Sequence, residues 1–139
     1  MSDTEIGWTL IGIAILMLSM CFWVMFSDGK TKKEIRSEFR KEVFKRDKFT
    51  CQVCGKKRSE EKLDAHHITD RSKMPKGGCV KENGVTVCNE EGYELTCHMR
   101  VEQFHISNGD NWEEGLHPDD LYIKIGSSLE EAISASERL

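Results

Sequence analysis

Thiols and imidazoles alternate through the middle of this chain in an order that suggests two metal-type sites. Thiols stand at Cys51-x-x-Cys54, Cys88 and Cys97, and imidazoles at His66-His67 and His98, with Asn83 between the groups. Four thiolates can close a tetrahedral structural site around zinc. The two histidines before Asn83 and the one after Cys97 are then left over, and surplus ligand-type residues point to chemistry. A neutral imidazole, with an unperturbed pKa of about 6.5, can take a proton from water near neutral pH.

The thiol spacing is C-x₂-C, then 33 residues, then Cys88, then eight residues, then Cys97. The first pair, Cys51-Gln52-Val53-Cys54-Gly55-Lys56, has the form of a knuckle that turns two thiolates toward one ion, with Gly55 supplying backbone freedom. The second pair is looser than a usual C-x₂-C because residues 89–96 intervene. Ordinary buried cysteines are the competing reading of all four. Cys79 has no evident partner, being either a free thiol or a substitute ligand, and Cys21 lies in an apolar run where it is expected to be inert.

Elements around these residues must position them. Ile35, Phe39 and Val43 recur at helical spacing and predict an amphipathic helix from Lys32 to about Arg46, opened by Thr31 with Glu34 three residues on. Its other face carries Lys33, Arg36, Arg40 and Lys41. Leu63 to Thr69 reads as a short strand, residues 70–84 as a Lys- and Gly-rich loop, and Val85-Thr86-Val87 as a second strand. Met99, Val101 and Phe104 suit a helix from Cys97 to about Ile106. A strand-like piece is expected at 121–125, followed by a helix opened by Ser128-x-x-Glu131. There is no internal repeat.

Cys-x-x-Cys, His-His, Asn-Gly and Cys-His, in this order, resemble the HNH endonuclease family over roughly Arg46 to His105. The resemblance implies an α+β fold: a small ββα-metal (His-Me finger) domain with a structural four-cysteine zinc site of Cys51, Cys54, Cys88 and Cys97. It implies that His66 and His98 hold a catalytic divalent ion (Mg²⁺, Mn²⁺, Ni²⁺ or Zn²⁺), that His67 is the general base, and that Asn83 ties the loop between the strands and helps orient that base. The family often carries a further histidine one turn after the last ligand. Here that position is Glu102, a candidate extra ligand or imidazole partner, and His105 follows at i+7. The implied reaction is hydrolysis of DNA phosphodiester bonds. Arg71, Lys73 and Lys76, with Arg40 on the basic helix, would contact phosphates, which gives low sequence specificity. Stand-alone members of the family are common in bacteriophages and mobile elements. A zinc-stabilised DNA-binding module without cleavage is the alternative, and a membrane-associated toxin or interaction protein that reuses the fold is a third.

Residues 6–26 (IGWTLIGIAILMLSMCFWVMF) carry no charge and are long enough, as a helix of about 30 Å, to cross a bilayer. Trp8 and Trp23 stand near the two ends. Asp3 and Glu5 precede the run and Lys30, Lys32, Lys33 and Arg36 follow it, which favours a single-pass anchor over a cleaved signal and puts the C-terminal domain in the cytoplasm. A reducing compartment also suits zinc thiolates. The expected organisation is a transmembrane anchor at 1–29, a nuclease domain with its leading basic helix at 30–108, and an acidic extension at 109–139.

Net charge is −4, but the distribution is uneven. Residues 30–58 hold twelve Lys or Arg against four acids, which suits a polyanion or a solvated helix face. Residues 102–139 hold nine acids against two bases, and that tail is expected only to solvate a surface.

Overall fold

The computed structural model describes residue 17 and residues 29–139 other than 91–94. Residues 1–31 and 32–139 are separate compact units. The expected anchor lies outside the described residues, apart from Met17; among those residues no helix is long and apolar enough to cross a membrane.

The second unit is a small α+β structure of four helices and a two-stranded sheet. Helix α1 (Lys32–Arg46) buries Phe39, Val43 and Phe44, with Ile35 packed beside them, on the stripe its sequence predicts. Glu34 in its first turn and Lys45 and Arg46 in its last complement the helix dipole. A knuckle follows, where Thr50 and Lys57 form an isolated bridge and Gly55 adopts a positive φ of 71°.

Strands β1 (Leu63–His67) and β2 (Gly84–Cys88) pair antiparallel, from Leu63 opposite Cys88 to His67 opposite Gly84. Gly84 is required by packing rather than by φ. A Cβ there would lie 2.4 Å from Val43 and 2.6 Å from the Phe39 ring, so only glycine lets α1 cross this close to the sheet. Every residue of β2 is buried, between α1 and helix α2 (Cys97–Ile106), whose Val101 is in the core. Thr96 caps α2 by accepting from the Met99 N–H at 3.1 Å.

The region expected as a strand at 121–125 is instead helix α3 (Pro118–Ile125). Leu-Tyr-Ile-Lys-Ile alternates as a strand does, but its ends decide otherwise. His117 caps the first turn, Pro118 starts it, and Gly126 takes the left-handed conformation that stops it. Leu121 and Tyr122 are buried and Ile125 packs on the core, whereas Ile123 is 77% exposed. A strand would have turned residues 121, 123 and 125 to one side.

Helix α4 (Leu129–Glu137) begins where expected, with the Ser128 hydroxyl accepting from the Glu131 N–H at 3.2 Å. Residues 109–139 are not a separate solvating tail. Leu116, Leu121, Tyr122 and Ala132 join the common core, so no division falls at 108. Ser136 donates to the Pro75 carbonyl and Ser127 to that of Glu82, which braces the 70–84 loop near its middle and near its end.

Candidate metal centre and imidazole pocket

Cys51, Cys54, Cys88 and Cys97 come together, from the knuckle, the end of β2 and the start of α2, with their sulfur atoms all within 4.8 Å of one another. A tetrahedral ion bonded to sulfur at about 2.3 Å needs sulfur separations of about 3.8 Å. The Cys54 and Cys88 sulfurs are 3.8 Å apart, too far for a disulfide. Backbone N–H groups of Cys54 and Cys88 point at the Cys51 sulfur at 3.5 and 3.3 Å, where they would stabilise a thiolate. Burial pushes the Cys88 and Cys97 thiols above their ordinary value. At Cys54, burial opposes but does not overcome hydrogen bonds from Lys56 and the other thiols, and the net shift is downward. Thiolates are the ligand form, so metal binding to a thiol cluster releases protons. The donor set therefore fits a metal ion. Cys79 is not part of it.

Strand β1 and helix α2 also frame a cavity of about 260 Å³ lined by Ala65, His66, His67, Asp70, Arg71, His98, Glu102 and His105. His66, His98 and Glu102 each bring one ligand atom within 4.8 Å of the others. The His66 Nδ1 is 3.2 Å from a Glu102 oxygen, and the His98 Nε2 is 3.9 Å from the same oxygen. His98 and Glu102 stand at i and i+4 on α2 and so share a face. Burial holds the His66 imidazole below its usual pKa, against the pull of Glu102, while the hydrogen bond from His66 holds Glu102 below the usual carboxylate range. A neutral imidazole and an ionised carboxylate are the forms that bind cations. His66 Nε2 is buried and lacks a hydrogen-bond partner among the described residues.

His98 is oriented by a residue that the sequence reading missed. The His98 Nδ1 lies 3.0 Å from Asp64, whose other oxygen is 3.4 Å from the Arg40 guanidinium. Asp64 acting as acceptor fixes the proton on Nδ1 and leaves Nε2 for an ion. Strand periodicity places Asp64, two residues before His66, on the same face, but does not name His98 as its partner.

His67 follows on the strand and also lines the cavity. Burial, and then the charge of Arg71, lower its pKa to about 4, so the ring is neutral at physiological pH. Its ring stacks on Phe39 with centroids 4.5 Å apart.

Asn83 is fully buried but does not line the cavity. Its oxygen accepts from the Thr69 N–H at 2.9 Å and from the Tyr122 hydroxyl at 2.7 Å. Its amide donates to the Thr69 carbonyl at 3.0 Å and the Gly78 carbonyl at 3.2 Å. All four side-chain hydrogen-bonding positions are taken, so Asn83 ties the loop, and its side chain hydrogen-bonds neither His67 nor the ligand cluster.

The expected phosphate contacts divide into two pairs. Arg71 and Lys73 are exposed, and Arg71 lies at the cavity. Arg40 is engaged internally, donating to the Leu63 carbonyl at 2.9 Å and the Glu60 carbonyl at 3.3 Å, and lies over the Phe44 ring. Lys76 donates to the carbonyls of Glu137 and Leu139 at 2.9 and 2.6 Å. Its ammonium holds the end of α4 and is not free at the cavity.

No family model, curated protein or solved structure matches the chain.

Proposed function

We propose that this protein is a metal-dependent endonuclease of the HNH type that hydrolyses DNA phosphodiester bonds. The observation that carries the proposal is the convergence of His66, His98 and Glu102 on one point of a cavity that His67 also lines. The order β1, β2, α2, with Asn83 immediately before β2, supports the same reading. The four-cysteine site is assigned to zinc, because four thiolates in a tetrahedral closed arrangement suit that ion.

His66, His98 and Glu102 would hold a divalent cation, which when bound supplies charge neutralisation for the phosphate and the departing 3′ oxygen. His67, neutral at physiological pH and adjacent to that cluster, takes a proton from the attacking water. Asp64, backed by Arg40, keeps His98 in the tautomer that offers Nε2 to the cation. Arg71 at the cavity and Lys73 nearby attract the DNA backbone without reading bases. Residues 6–26 tether this domain to the cytoplasmic face of a membrane, a part of the proposal that rests on their apolar length and flanking charges.

The test is plasmid nicking by the full-length chain with Mg²⁺, Mn²⁺, Ni²⁺ or Zn²⁺, each against a chelator control. His67→Ala is expected to abolish cutting while zinc content and unfolding midpoint stay near those of the wild type. DNA binding without cutting under every metal would replace this reading with that of a zinc-stabilised binding module.

A further inference from the structure

His67 is held on three sides. Phe39 covers one ring face. His105 donates from Nε2 to the His67 carbonyl at 3.1 Å and pins the backbone. The third contact is Cys79, a buried thiol whose sulfur lies 3.6 Å from the His67 Nε2. The His67 Nδ1 makes no hydrogen bond among the described residues. It is also absent from the buried unpartnered side-chain atoms, which are His66 Nε2 and Thr86 Oγ1. Nδ1 therefore reaches accessible space, and His67 is one of the residues that line the cavity.

We infer that Cys79 is a positioning residue for His67: its sulfur accepts from Nε2–H and so presents the Nδ1 lone pair to the cavity. This rests on the nuclease reading above. In the proton transfer, a water O–H bond breaks and an N–H bond forms at Nδ1. Nε2–H stays in place throughout, and its bond to sulfur strengthens as the ring becomes cationic.

Cys79 is itself placed by Asn83. The Asn83 amide donates to the carbonyl of Gly78, the residue before Cys79. Gly78 has a positive φ of 61°, and a Cβ there would lie 2.7 Å from the Asn83 amide nitrogen and 2.8 Å from Met74. That glycine allows the loop to close onto Asn83 and deliver the thiol to the imidazole. Asn83 thus orients the base at one remove, through the loop it holds.

The tautomer is readable without catalysis. Long-range proton–nitrogen NMR correlation on the full-length chain at neutral pH is expected to show His67 protonated at Nε2 alone. Cys79→Ala and Cys79→Val are expected to populate the Nδ1–H form as well, and Cys79→Ser to retain the wild-type form because a hydroxyl oxygen also accepts. Plasmid nicking should follow, with kcat falling roughly tenfold in the Ala and Val variants, KM within about twofold, and recovery in the Ser variant. Agreement between Ala and Val separates loss of the acceptor from change of volume. Protonation of wild-type His67 at Nδ1 overturns the inference, as does an unchanged tautomer in Cys79→Ala. If the tautomers behave as expected and no form of the protein cuts DNA, the Cys79 contact stands and the nuclease reading falls.

Discussion

Replacing Asn83 by alanine removes two donors and two acceptors from a fully buried position. Tyr122 keeps a second partner, the Thr69 hydroxyl at 2.8 Å. The Thr69 N–H and carbonyl and the Gly78 carbonyl lose theirs. An unpaired buried polar group costs about 1–3 kcal/mol, with the low end appropriate for half-buried Thr69. The expected loss is about 3 kcal/mol, a large part of the roughly 5–15 kcal/mol that stabilises a typical domain. Urea unfolding of the full-length chain at fixed zinc concentration measures it. Asn83→Asp is the sharper variant. It keeps both acceptors but sets a carboxylate against two carbonyls, so it is expected to be at least as unstable as the alanine variant. Were Asn83 a cation ligand, aspartate would instead be tolerated and would tighten metal binding. A stability change under about 0.5 kcal/mol for Asn83→Ala, or stabilisation by added divalent ions in Asn83→Asp alone, would refute the four-bond account.

Cys54→Ser, or removal of a metal ion from the four-cysteine cluster by a chelator, should abolish cooperative unfolding of residues 32–139, because a two-stranded sheet buries too little surface to hold the knuckle without an ion; calorimetry checks it, and a sharp transition in the metal-free protein would count against it. Asp64→Asn should weaken binding at the imidazole cluster by about 10–100-fold while leaving the four-cysteine site loaded, as read by metal titration with competing chelators. The His67 pKa in the folded chain, about 4, lies below the unfolded value of about 6.5, so its contribution to stability is complete above about pH 6.5 and is lost as pH falls toward 4. The loss is at most about 3 kcal/mol, and His67→Gln should be spared it; parallel pH–stability curves for the two proteins would contradict the burial argument.

The elements that carry the candidate site were legible because each has a local period. Ile35, Phe39 and Val43 mark α1, Val85 and Val87 mark β2, and Met99, Val101 and Phe104 mark α2. At 121–125 that method failed, since apolar alternation in five residues fits a strand, and the caps on either side chose the helix. Two of the basic residues bond within the fold for a related reason. Lysine and arginine side chains are long enough to reach distant carbonyls, so composition does not tell whether Arg40 and Lys76 serve a ligand or the fold.

The amino-acid sequence by itself determined which ligand types are present and in what order: four thiols, a histidine pair in a strand, and a histidine and a carboxylate one turn apart on a helix. Those relations are set by covalent spacing and by the periods of strand and helix. The tertiary structure alone decided the partners: Asp64 behind His98, Cys79 against His67, and Tyr122 from the acidic tail on Asn83. These contacts join residues 12 to 39 positions apart, and hydrogen bonds that short depend on how the loop and helices pack, which no local pattern encodes.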